Sequence, residues 1–159
     1  MSTRYASTFS NIKLGTHNSV EGLRGALAAR GCRIGKWGSD ILDKVIVSPA
    51  ETAVDLVVVT AADLYFKDRV RRLAIYERAI ELGLDLCPSE VGPQLRLQYL
   101  DQPQDEWLYV AMEPVVDADG YHGIFRMGHE RDELWLDGNF GNPFNLWHNF
   151  YSWIFLRRK

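Results

Sequence analysis

Asp55-Leu-Val-Val-Val-Thr60 is a continuous apolar, β-branched run, and it constrains the fold more than any other stretch of the chain. A strand with one wet face alternates apolar and polar residues, whereas an unbroken Leu-Val-Val-Val run needs cover on both faces. This strand must therefore lie inside a sheet, with other elements packed above and below it. The patterns on either side supply candidates. Asn18 with Glu21 three residues on forms a capping-box signature ahead of Val20, Leu23, Ala26 and Leu27, and Gly31 stands at the stop. Asp68 can cap a second helix running to Leu82, with Val70, Leu73, Tyr76 and Ile80 inward, Arg69, Arg71, Arg72 and Arg78 outward, and Gly83 ending it.

Shorter signals fill the rest. Tyr5 to Leu14 reads as an opening strand, Cys32 to Lys44 as a Gly-containing connection (Gly35, Gly38), and Lys44 to Val47 as a short strand before Ser48-Pro49. Leu84 to Tyr99 holds Pro88 and Pro93 and reads as a rigid connector leading into an alternating strand, Leu95 to Tyr99. Trp107–Met112, Gly123–Met127, Leu134–Leu136 and Trp153–Arg157 read as further strands, separated by turns at Asp117–Gly120 and Glu130–Glu133. Residues 1–159 show no repeat and no linker, so one domain is expected. Helices early and antiparallel strands late predict an α+β class.

Charge and composition remove several function classes. The net charge is −3 and 47% of residues are apolar, without the basic stripe that nucleic-acid binding needs; Arg157-Arg158-Lys159 is too short to make one. No apolar run reaches membrane-spanning length and no leader-like start is seen at Met1-Ser2-Thr3-Arg4, so a cytoplasmic location is the default expectation and neither a membrane nor nucleic acid is an expected partner. Surface display by another route stays open. Cys32 and Cys87 lack CxxC spacing and read as reduced, buried thiols, a disulfide between them being the alternative.

Catalytic and metal signatures are thin. Asp117-Ala-Asp119-Gly120 opens like a calcium loop but has no bidentate Glu at the twelfth position, so it reads as a hairpin turn. Glu113, His122, His129 and Asp137 could assemble an acid/base or metal site on facing strands, and a small cytosolic enzyme using them is one alternative. The glycines Gly31, Gly35 and Gly38 match neither a P-loop nor a dinucleotide fingerprint. No cofactor and no metal are expected.

The segment from Asp137 to Trp153 is different in kind. It is crowded with aromatics, is uncharged after Asp137, and holds four of the six asparagines in the chain. Rigid aromatic rings beside small hydrogen-bonding groups make an efficient recognition surface, although turn chemistry also favours Asn, Gly and Pro.

Leu84–Tyr99, Trp107–Pro114 and the ending from Leu134-Trp-Leu136 to the terminal Arg/Lys residues resemble variable proteins of diversity-generating retroelements, of the type found in candidate-phylum bacteria. In such systems adenines in Asn codons are randomised, which excludes Glu, Gln, Lys, Met and Trp from the varied positions. Asn139 to Ser152 obeys that rule except at Trp147. The resemblance implies a C-type-lectin-like fold, with two helices flanking a small antiparallel sheet and paired N- and C-terminal strands. It implies a non-enzymatic binding protein that presents Asn139, Phe140, Asn142, Phe144, Asn145, Leu146, His148, Asn149, Phe150, Tyr151 and Ser152 to a macromolecular, protein target, with Trp135, Trp147 and Trp153 as scaffold. Glu113-Pro114 and Trp135-Leu-Asp137 depart from the sugar-binding lectin pattern, so calcium-dependent carbohydrate binding is not implied. A third expectation is an oligomer in which Phe144 and Phe150 are buried between subunits.

Overall fold

A computed structural model describes residues 9–116, 119–142 and 144–158. The Leu-Val-Val-Val run lies in β3 (Thr52–Thr60), paired antiparallel on one side with β1 (Ser10–Leu14) and on the other with β11 (Ser152–Arg157). Leu56, Val57 and Val59 are buried, as expected for a strand covered above and below. Beyond β11 follow β6 (Trp107–Val110), β8 (His122–Glu130), β9 (Glu133–Phe140) and β2 (Arg33–Ile34), in the order β1-β3-β11-β6-β8-β9-β2. Two short strands extend it: β5 (Leu84–Asp85) on β11 and β7 (Val115–Val116) on β8. A separate two-stranded ribbon joins β4 (Val70–Arg71) to β10 (Leu146–Trp147).

This overturns the C-type-lectin-like expectation. Among the described residues the sheet is a curled, nine-stranded mixed one, with β11–β6 and β2–β9 parallel, and four helices accompany it where two were expected. The terminal strands do not pair; each lies against β3, which takes the position between them. α1 (Val20–Ala29) lies in the link between the edge strands β1 and β2.

Strand alternation assigns the faces. Tyr109, Trp153 and Arg126 are cross-strand neighbours and share one face, while Phe125 lies on the other. α3 (Arg72–Glu81) packs on the first, its Tyr76 ring edge-on to Trp153 and Phe155. α4 (Val91–Gln98) packs on the second, where Gly92 lies so close to the Phe125 ring that a Cβ would come within 2.3 Å of it. α1 packs on α4, and α2 (Lys36–Leu42) lies against β9.

Several local readings shift. The cap of α1 is Ser19, whose Oγ accepts from the Gly22 amide, one residue after Asn18; Gly31 does occupy the left-handed stop position, as Gly83 does after α3. α3 starts at Arg72, after β4, and its buried stripe is Arg72, Ile75, Tyr76 and Ala79. Leu73 and Ile80 face outward instead. Arg72 is tolerated inside because its Nε donates to the Gly141 carbonyl at 2.8 Å and its guanidinium lies over the Tyr76 ring.

Leu95–Tyr99, expected as a strand, belongs mostly to α4, with Pro93 in its first turn, where its missing N–H costs nothing. Arg96 is fully buried there and donates to Gln102 Oε1 and to the carbonyls of Tyr99, Gly128 and Trp135. Cys32–Lys44, expected as a connection, contains β2 and α2, and Lys44–Val47 is not a strand. The opening-strand residues before Phe9, Asp117 of the expected turn, Pro143 and Lys159 lie outside the described residues. Among the described residues no helix is long and apolar enough to cross a membrane.

Candidate functional site

After β9 the chain turns at Gly141 and crosses the α3 face of the sheet. Trp147 anchors this crossing. It is 7% exposed and packs against Tyr109, Tyr151 and Trp153 at ring separations of 5.2, 5.7 and 4.8 Å. The β10–β4 pairing holds the backbone on one side, and Asn149 clamps the other, its Nδ2 donating to the Phe66 carbonyl and its own carbonyl accepting from the Ala62 amide.

With the backbone held this way, the neighbouring side chains point out. Phe144, Leu146 and Phe150 are 68%, 61% and 64% exposed, and His148 stacks flat on Phe150 at 4.9 Å. Asn145 is also exposed. Tyr151 and Ser152 are half-buried, Tyr151 lying among the rings of Tyr109, Trp147, His148 and Phe150. Asn142 does turn chemistry, its Oδ1 accepting from the Phe144 amide at 2.8 Å.

The first two residues of the segment go elsewhere. Asn139 and Phe140, at the end of β9, line a cleft of about 350 Å³ between α2 and the β7–β8 hairpin. α2 contributes Lys36, Trp37, Asp40 and Ile41; the hairpin contributes Val115, Asp119, Tyr121, His122 and Gly123. Three rings run along it, Trp37 against Phe140 at 4.7 Å and Phe140 against Tyr121 at 5.9 Å, with exposures of 47%, 41% and 60%.

Glycines set this geometry. A Cβ on Gly38 would come within 2.7 Å of the Asp137 Cα and the Leu136 carbonyl, and one on Gly138 within 2.9 Å of the Trp37 backbone. Ile41 Cδ1 occupies the space that side chains at Gly123 and Gly138 would fill. α2 therefore seats directly on β9 and β8, with Trp37 held beside Phe140.

The acid/base candidates are not brought together. His122 begins β8 and lines the cleft, whereas His129, seven residues along the same strand and so roughly 23 Å away, has its Nδ1 2.6 Å from the Gln102 carbonyl. Asp137 lies 3.7 Å from Arg126 and accepts from the Gly138 amide; Glu113 is exposed in the loop before β7. Among the described residues no three His, Cys, Asp or Glu side chains group as metal ligands. Cys32 and Cys87 are buried free thiols, and burial pushes both pKa values up.

Sequence reasoning missed Lys36, Trp37, Asp40 and Tyr121. A signal was present in Gly35-Lys-Trp-Gly38, where glycines three apart, at the cap and in the first turn of a short helix, flag close approach to a neighbouring element, here Asp137. Burial also raises the pKa of Tyr109, in the aromatic cluster under the crossing segment, with Arg126 opposing the shift. Comparison of the chain with protein-family models, with curated proteins and with solved structures returns no match.

Proposed function

We propose that this chain is a non-enzymatic binding protein whose recognition surface for a protein target is the outward face of the crossing segment, residues 144–152. One observation carries the reading: Phe144, Leu146 and Phe150 are each more than 60% exposed on a backbone pinned by the buried Trp147, by β10–β4 pairing and by Asn149. Apolar side chains left in water on a pre-ordered backbone lose little entropy when a partner covers them. The test is selection of a peptide-display library on the immobilised protein and on a Phe144→Ser, Leu146→Ser, Phe150→Ser variant. Families enriched on the parent and lost on the variant support the reading. Equal enrichment on both, or a concentration-dependent dimer that the serine changes dissolve, overturns it.

Diversification of this segment by a retroelement is a second reading, favoured by one observation. Trp147, the only residue between 139 and 152 that randomised Asn codons cannot specify, is also the buried anchor. The lectin fold lends this reading no support, since the chain folds otherwise. Sibling genes whose differences do not cluster in 139–152 would refute it.

A further inference from the structure

The cleft between α2 and the β7–β8 hairpin is separate from the crossing segment, and its chemistry is distinct. Trp37, Phe140 and Tyr121 place a row of partly exposed rings along its wall, and its charged lining is two carboxylates, Asp40 and Asp119, against one ammonium, Lys36. Ring faces carry negative quadrupole potential and attract weakly hydrated cations most when these are partly desolvated. The carboxylates add the same sign of field. A methylated ammonium suits this combination better than a primary one, because it gives up little hydration on entering and demands no hydrogen bonds from the rings. The volume, about 350 Å³, lies at the lower end of the range for small-molecule pockets. Rigid seating of α2 by Gly38 and Gly138 holds the rings in place before any ligand arrives.

We infer that this cleft binds a methylated organic ammonium group, with Trp37, Phe140 and Tyr121 facing the cation and Asp40 and Asp119 supplying the countercharge. The proposal does not depend on the target-binding role of Phe144, Leu146 and Phe150.

The probe is choline, titrated into isotope-labelled protein while the indole N–H of Trp37, identified by its loss in Trp37→Phe, is followed by NMR. Its uncharged carbon isostere dimethylbutanol and the disaccharide cellobiose are run in parallel. Choline is expected to give a saturable shift with affinity about tenfold above the isostere, weakened several-fold by Asp40→Asn and unchanged in the Phe144/Leu146/Phe150 serine variant. A trimethyl-lysine peptide identifies the source of the cation: tighter binding than choline assigns a protein side chain, weaker binding a free small molecule. Equal affinity for choline and its isostere, saturation by cellobiose without choline binding, or no shift with any probe would overturn the inference.

Discussion

Replacing Tyr76 with Phe removes one oxygen from beneath the proposed recognition surface, and the consequence can be worked out. The Tyr76 hydroxyl accepts from the Met112 amide at 3.0 Å and donates to the Met112 carbonyl at 3.1 Å, in a site where Tyr76 is 3% exposed. Tyr76→Phe keeps the ring contacts with Trp153 and Phe155 but leaves two buried backbone groups without that partner, a cost of about 2–4 kcal/mol.

The same site predicts a pH dependence. Burial pushes the Tyr76 pKa from its ordinary 10 up to about 12, against the lowering effect of Arg72. The folded state therefore holds its proton where the unfolded chain has released it. Tyr76 contributes its full stability below pH 10 and loses it as pH rises toward 12, by roughly 3 kcal/mol in all. The phenylalanine variant has no such proton to lose, so the gap between parent and variant should close across that window. Urea unfolding of both proteins at about pH 8 and at steps above pH 10 measures the gap directly. A cost below about 1 kcal/mol at pH 8, or a gap that stays constant to pH 11.5, would refute the reasoning.

Two other substitutions test the scaffold. Trp147→Ala should cost about 3–5 kcal/mol in urea unfolding and speed proteolysis within 141–151, because the crossing segment loses its anchor among Tyr109, Tyr151 and Trp153; unchanged cleavage would show that β10–β4 pairing and Asn149 suffice. Gly38→Ala should cost about 1–3 kcal/mol and weaken choline binding, since the new Cβ meets the backbone of Leu136 and Asp137 at 2.7 Å and α2 must shift; parent-like stability would mean that the helix seat is softer than its geometry implies.

Reading from sequence succeeded where one local rule governs. Asp55–Thr60 is an interior strand because its apolar run admits no wet face, and the Glu130–Glu133 turn closes a hairpin through Arg131 and Asp132, both at positive φ. Gly31 and Gly83 stop their helices for the same kind of reason. Reading failed where periodicity is ambiguous. Leu95, Leu97 and Tyr99 alternate like a strand, but the intervening Gln94 and Arg96 are buried as well, in α4, with hydrogen-bond partners at Thr16, Glu90 and Gln102. The tilt of α3 onto Arg72 and Ile75, with Leu73 left outside, depends on the Gly141 carbonyl, which reaches Arg72 from a distant part of the chain.

The same division holds for the candidate sites. The concentration of aromatics and asparagines at 139–152 is written in the sequence, because composition alone marks residues suited to recognition. That Trp147 turns inward while Phe144, Leu146 and Phe150 turn outward, and that Phe140 joins Trp37 and Tyr121 in another place, was decided by tertiary structure. Pairing of β2 with β9 brings α2, about a hundred residues earlier in the chain, against the end of β9. No window of sequence contains both halves of that cleft, since strand pairing across such a separation is set by the packing of the whole sheet and not by the residues it joins.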